Sequence, residues 1–370
     1  MASTSAEMSQ EQAQRLFENG GFLFIPNLPT GFEFGIDYNS WKTGPKFKGV
    51  KMIPPGCHFI FVSCSGGQGG QAPRIGFFHY FQPKELVVKN WNEESEDLVD
   101  ETDQEKVERI RLDLRNLDQY LGAYPFENYK TWFSLTYLID AALIKRLEPE
   151  IQRISAQCDL VSKEFEELGA SGQRVDRQNP VRVRYSDSQG LPIMHLKPGS
   201  EIRFTAIPSA DLDQCTVSER TARSMDLGFA LRGMLATYEH PKQLLGELQF
   251  AYVCFLVGHV FEAFEQWKLL IGVFCKCEEA LGELSDFFAE FIMVLHFQLK
   301  TTPQEFFVDI VANNNFLAMT LSNFFLLLDS SDSASVQLKR KGARFKNALS
   351  VKYGWDFDSV SDEYKPVVVE

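Results

Sequence analysis

The chain has 370 residues, which at ordinary domain sizes suggests about two domains. With 44% hydrophobic residues and 32 Phe, it excludes disorder of the whole chain; so much aromatic surface must be buried in cores or against a partner. A net charge of −13 argues against direct nucleic-acid binding, because neutralising phosphates takes clustered Lys and Arg, and it favours a basic protein partner.

Ser9–Asn19 has the spacing of a short helix, anchored by Leu16 and Phe17 and stopped by Gly20-Gly21. Short runs rich in Phe, Ile and Val follow: Phe22–Ile25, Phe32–Ile36, Cys57–Val62, Ile75–Phe81 and Leu86–Trp91. Gly, Pro and Asn separate them, the pattern of a small β-sandwich or barrel. Ser65–Ala72 (SGGQGGQA) reads as a hairpin loop between two of these runs. Asn92–Glu105 is acidic and reads as a solvated loop. Val107–Leu121 then has helical spacing, and Phe126–Leu147 is a second helical segment with Trp132, Leu135, Ile139 and Leu143 on one face.

Leu168–Lys197 is rich in Gly, Ser and Pro and reads as a linker or insertion. Glu201–Thr205 alternates like a strand that rejoins the first domain's sheet. From Thr216 to Lys352 the pattern is helical: Ser218–Ala236, Gln243–Gly258, Val260–Phe274, Leu284–Leu299, Pro303–Val311, Phe316–Leu328 and Ser335–Lys352. Leu248–Val257 is apolar nearly all round, which places its helix in the middle of a bundle. Gly258 and His259 mark a helix–helix turn, and no sustained repeat occurs. Residues 366–370 (PVVVE) favour an extended strand.

The fold class is therefore α+β: a β-rich N-terminal sandwich or barrel-like domain, an α-helical bundle and an extended C-terminal tail. The domains are 1–167, β-rich with helices; 168–198, a linker or insertion; 199–207, a strand rejoining the first domain; 216–355, helical; and 356–370, the tail. Seven Cys without a regular framework indicate a reducing compartment. Met1–Gln14 lacks a basic-then-apolar signal pattern. The longest uncharged stretch, Ile310–Leu328, contains three consecutive Asn, which argues against a membrane span. The expected location is the cytoplasm, with the nucleus as a further site.

Catalytic chemistry has no visible home. Gly66–Gly70 lacks the Gly-Lys-Ser/Thr ending of a phosphate loop and reads as a flexible turn. Cys275 and Cys277, with Cys254 upstream, lack the second pair that a structural zinc site needs and read as buried small hydrophobes. Cys57 and His58 are strand neighbours that point to opposite faces, so they make no nucleophile–base pair. His259 and Glu262 read as core or helix-end residues, and Asp37 with Glu33 mimics a carboxylate pair without a sugar site around it. The Arg174–Arg184 stretch reads as a solvated loop, with RNA contact or kinase recognition as its functional alternatives. Phe261–Trp267 reads as core before it reads as a groove. We expect no metal, no cofactor and no enzymatic activity. The tail Pro366-Val367-Val368-Val369 either adds a strand to a partner's sheet edge or docks on its own domain.

Residues 31–59 (GFEFGIDYNSWKTGPKFKGVKMIPPGCHF) strongly resemble the N-terminal block of the Aar-two family, assembly factors of the spliceosomal U5 snRNP. Residues 75–78 (IGFF), 199–204 (GSEIRF), 245–268 (LGELQFAYVCFLVGHVFEAFEQWK), 306–311 (FFVDIV), 355–357 and 366–370 agree, in order, across almost the whole chain. The resemblance implies a non-enzymatic assembly chaperone with a VHS-like helical domain. It implies binding to pre-mRNA-processing factor eight through that protein's RNase H-like domain, with the tail adding a strand near its Jab/MPN domain. Such binding would keep the U5 RNA helicase and RNA from engaging too early. It assigns partner binding to Pro366, Val367, Val368 and Val369, with Trp355 and Phe357 as secondary anchors of the tail. Asp37–Trp41 are either fold-defining or partner-contacting. The competing reading is a general peptide-binding adaptor built on the same helical domain.

Overall fold

A computed structural model describes residues 16, 18–64, 72–157, 160–162, 194–208, 226–302 and 316–357. The described residues group into two compact units. One draws on Met1–Phe126, Ile144–Arg203 and Leu256–Val260; the other on Glu127–Leu143, Phe204–Phe255 and Phe261–Glu370. The expected N-terminal block of 1–167 is thus interrupted by a segment that belongs with the helices.

The first unit is built on two five-stranded sheets. Its strands are β1 (Gly21–Phe24), β2 (Glu33–Ile36), β3 (Asn39–Lys42), β4 (Gly49–Ile53), β5 (Gly56–Ser63), β6 (Ile75–Phe81), β7 (Leu86–Asn92), β8 (Asp97–Asp100), β9 (Gly122–Ala123) and β10 (Ile154–Ser155). The order is β8-β7-β1-β4-β9 in one sheet and β10-β6-β5-β2-β3 in the other. The first sheet is mixed: β1 runs parallel to β7 and antiparallel to β4. The second is antiparallel throughout. Inner side chains such as Phe34, Phe59, Phe61 and Phe81 are almost fully buried, which is where much of the aromatic content goes. At Gly49, φ is +139° and an added Cβ would lie 1.9 Å from the Leu23 carbonyl oxygen, so only glycine allows β4 to meet β1 here.

Helix α1 (Gln104–Leu117) covers one face of the first sheet. Asp103 caps it, its carboxylate accepting from the Glu105 and Lys106 N–H groups. The apolar stripe Val107, Ile110, Leu114 and Leu117 lies against Phe22, Phe24, Leu86, Val88 and Leu121. A short antiparallel pair, β11 (Leu160–Ser162) with β12 (Met194–Leu196), stands apart from both sheets.

Three sequence expectations change. Asn92–Glu105 is not all loop: β8 lies within it and pairs antiparallel with β7, Leu98 buried and its acidic neighbours outward. Phe126–Leu147 is not one helix but α2 (Tyr129–Thr136) and α3 (Ala141–Leu147). The Asp140 carboxylate accepts from the Leu143 N–H and starts the second helix afresh. Glu201–Thr205 forms no strand. The Arg203 N–H donates to the Leu147 carbonyl, and its guanidinium donates to the carbonyls of Glu148 and Lys145. The segment therefore closes the end of α3 instead of joining a sheet edge.

The second unit holds α2 together with α4 (Gly228–Leu235), α5 (Pro241–Leu256), α6 (Phe261–Phe274), α7 (Ala280–Glu283), α8 (Ser285–Thr301), α9 (Phe316–Ser330) and α10 (Val336–Tyr353). Helix α8 packs against α2 and α10, and α9 against α10. In α5 every residue from Leu244 to Phe255 is buried, as expected for a bundle's central helix. Gly246 permits a close approach: an added Cβ would lie 2.5 Å from the Leu138 carbonyl oxygen. No helix among the described residues is long and apolar enough to cross a membrane. The expected helices Ser9–Asn19 and Ser218–Ala236 lie only partly within the described residues. The Ser65–Ala72 loop, apart from its last residue, and the helix Pro303–Val311 lie outside them.

Candidate protein-interaction surface

The tail residues Pro366, Val367, Val368 and Val369 lie outside the described residues. Their secondary partners Trp355 and Phe357 lie inside. Ser335 caps α10, its Oγ accepting from the Leu338 N–H. Gly354, at φ +70°, ends the helix in the left-handed conformation. Beyond it, Trp355 stacks on Tyr353 at 4.7 Å between ring centroids, and Phe357 meets Phe325 edge-on at 5.1 Å. Phe357 is buried, so it fastens the start of the tail to α9. Lys352 donates to the carbonyls of Leu299, Lys300 and Thr302. It closes the C-terminus of α8, and burial lowers its pKa.

Asp37 proves fold-defining. It opens the two-residue turn between β2 and β3 at φ +56°, a conformation Asp tolerates. Its carboxylate accepts from the Phe59 N–H (3.0 Å), His58 Nδ1 (2.8 Å) and the Tyr124 hydroxyl (2.6 Å). His58 Nε2 reaches the Pro54 carbonyl at 2.8 Å. Both ring nitrogens therefore lie within hydrogen-bond distance of an oxygen, so the ring is held at both ends. The cluster is buried and its hydrogen bonds are used within the fold. Trp41, by contrast, is 43% exposed.

The other candidate pairs also resolve into structure. Glu33 does not pair with Asp37; it binds Arg74 at 3.0 Å. Arg74 lies over the Phe61 ring and donates to the Val257 carbonyl beside His259. Burial, and then the Arg74 charge, lower the His259 pKa, with Glu33 pulling the other way. His259 thus occupies a helix–helix turn at φ +60°. Cys254, Cys275 and Cys277 are buried thiols, their pKa values raised by desolvation, that of Cys277 to about 12. No cluster of three or more metal-ligating side chains occurs among the described residues. In Phe261–Trp267 the reading divides: Trp267 is core and donates to Gln298, whereas Phe261 is exposed.

One feature lies outside the sequence expectations. Helix α10 carries Lys339, Arg340, Lys341, Arg344, Lys346 and Lys352 and no Asp or Glu. The net charge of the whole chain conceals this basic segment, although counting charges per helix finds it.

The family model for the AAR2 N-terminal domain matches residues 19–149, and that for the AAR2 C-terminal repeat region matches residues 204–358. The Protein AAR2 homolog of Caenorhabditis elegans is 46% identical, over 93% of this chain and 96% of its own. The chain belongs to the AAR2 family. The Homo sapiens member is 40% identical over 99% of this chain and 97% of its own. A distant relative, the A1 cistron-splicing factor AAR2 of Saccharomyces cerevisiae, is 22% identical over 78% of each chain. The two matched regions correspond to the β-rich and helical parts of the α+β fold. The family resemblance read from the sequence is thereby established.

Proposed function

We propose that this chain acts in pre-mRNA splicing as a non-enzymatic assembly chaperone of the U5 snRNP. It binds pre-mRNA-processing factor eight through the RNase H-like domain, with the tail adding a strand near the Jab/MPN domain. It thereby delays engagement of the RNA helicase and of RNA. The observation that carries this reading is the match, over nearly the full length, to a family whose yeast member is named a splicing factor. The anchoring of Phe357 on Phe325 supports it, because it fixes the point from which the proposed tail contact would start. An acidic protein also suits a site from which RNA is to be excluded.

The test is a titration of the full chain, and of chains ending at residues 355 and 357, against the isolated RNase H-like domain. Tight binding by the full chain, weakened at least tenfold by both truncations, is expected. Loss with the shorter chain alone would move the contact from the valines to Phe357. No binding by the full chain overturns the reading and leaves the peptide-binding adaptor.

A further inference from the structure

We propose that β3, the outer strand of the antiparallel sheet, accepts an extended acidic segment of another protein as a further strand. The inference concerns the β-rich unit alone and does not depend on the partner named above. β3 stands at the edge of its sheet, and Ser40, Trp41 and Lys42 are exposed along it. Its main chain is set for pairing. The two-residue turn closes the β2–β3 hairpin on Ile36 and Asn39, and the same parity returns where the Thr43 N–H donates to the Phe32 carbonyl. In an antiparallel pair only alternate residues bond across the ladder. Asn39 and Trp41 therefore turn to β2, and the N–H and C=O groups of Ser40 and Lys42 point outward. Among the described residues no main-chain group pairs with them, so an incoming strand finds a template there.

The side chains set what that strand carries. Trp41 lies beside Phe34, its cross-strand partner, with ring centroids 6.5 Å apart and planes 15° apart, and Phe47 meets the same Phe34 ring at 4.9 Å. Phe34 is buried, yet Trp41 keeps 43% of its surface exposed, so an apolar ring lies uncovered at this edge. Lys42 projects from the opposite face of the strand, and Lys46 from the turn that the Phe47 N–H closes on the Gly44 carbonyl. Both lysines are exposed and make no ion pair among the described residues. Glu33, directly across from Lys42, is held by Arg74. Residues 38–84 contain six Lys and Arg and no Asp or Glu, within a chain of net charge −13. The ligand that satisfies both faces alternates, with an apolar side chain opposite Trp41 and a carboxylate opposite Lys42. A protein strand fits better than a nucleic acid: the outward main-chain groups call for another ladder, and the field of the whole chain opposes a polyanion more than a few carboxylates.

The test is fluorescence anisotropy at low ionic strength with the full chain. The probe is a labelled peptide of alternating Val and Glu, which puts all its carboxylates on one face of a strand. Controls are the same peptide with Lys for Glu, two forms N-methylated at every Val or at every Glu, and an oligouridylate. The Val–Glu peptide is expected to bind. One methylated form should lose at least tenfold and the other stay within threefold, because only one alternate set of N–H groups faces the edge. Lys42→Glu/Lys46→Glu should weaken binding at least tenfold. Lys130→Glu/Lys341→Glu, with the same charge change on the helical unit, should leave it within twofold. If Lys42→Glu/Lys46→Glu does not fold, the two methylated forms on the unaltered chain decide. Equal binding of the Glu and Lys peptides, or of the two methylated forms, overturns the proposal. No binding also overturns it and leaves Lys42 as a guard of the edge. Oligouridylate binding with the same variant dependence would assign the surface to nucleic acid. Peptide binding only by a chain ending at residue 357 would give the edge to the chain's own last residues, and dimerisation in sedimentation that the peptide reverses would give it to a second copy. Each of these three results overturns the proposal.

Discussion

Asp37 in the β-rich unit and Glu247 in the helical unit are both buried carboxylates, yet the two units satisfy them by different chemistry. Asp37 has an imidazole, a phenol and one backbone N–H as donors. Glu247 has no imidazole; its donors are the Thr205 N–H at 3.0 Å, the Gln266 amide at 2.9 Å and the Tyr238 hydroxyl. Asp37 ties a hairpin turn to β5 and to the residue following β9, all distant in sequence. Glu247, on α5, captures the irregular stretch around Thr205 and holds it to α6 through Gln266. In both units the buried acid secures chain that no regular ladder secures. Only in the β-rich unit does removing it also leave a buried imidazole without its partner.

The largest expected effect follows from that difference. Asp37→Ala strands three donors and puts Ala at positive φ, and should cost about 3–5 kcal/mol in denaturant melts. Asp37→Asn tolerates the turn and keeps one acceptor oxygen, and should cost about 2 kcal/mol. Glu247→Gln should cost less, about 1 kcal/mol, because the Tyr238 hydroxyl turns to accept from the new amide. If Glu247→Gln costs as much as Asp37→Asn, the imidazole makes no difference between the two sites. Tyr124→Phe and Tyr238→Phe remove the one side-chain donor type that the two sites share, and each should cost about 1 kcal/mol.

The smallest effect comes from a carboxylate near the surface of the β-rich unit. Hydrogen bonds from Lys106, the Asp103 N–H and Asn90 lower the Glu101 pKa to about 2. A lowered folded-state value means stability that is present above the unfolded value of about 4.3 and is lost as pH falls through the folded one. Glu101→Gln should therefore flatten the fall in melting midpoint between pH of about 5 and 2. An unchanged slope would mean that solvent screens these contacts.

Strong alternation was legible in the sequence. Ile75–Phe81 has the same bounds in the structure as in the sequence reading. β8 escaped because acids flank its apolar pair, and β4 because Gly49 and Lys51 interrupt its alternation. The helical period runs unbroken through Trp132, Leu135, Ile139 and Leu143, all buried, so the break at Asp140 was visible only as a cap residue. Burial of Asp37 could not be read from the turn sequence, since its partners His58 and Tyr124 lie 21 and 87 residues away. The basic run of α10, six Lys and Arg with no acid, is also plain in the sequence once charges are counted helix by helix.

The interleaving of the two units has a consequence for synthesis on the ribosome. Leu256–Val260 groups with the β-rich unit, and Glu127–Leu143 with the helical one. The first unit is therefore incomplete until residue 260 has left the exit tunnel, by which time much of the second has also emerged. The nascent chain cannot finish one domain before starting the next, as chains with sequential domains do. Every strand of the two five-stranded sheets is made by Ser155, so the β-rich unit waits nearly complete for Leu256–Val260 while the first helices of the other unit emerge.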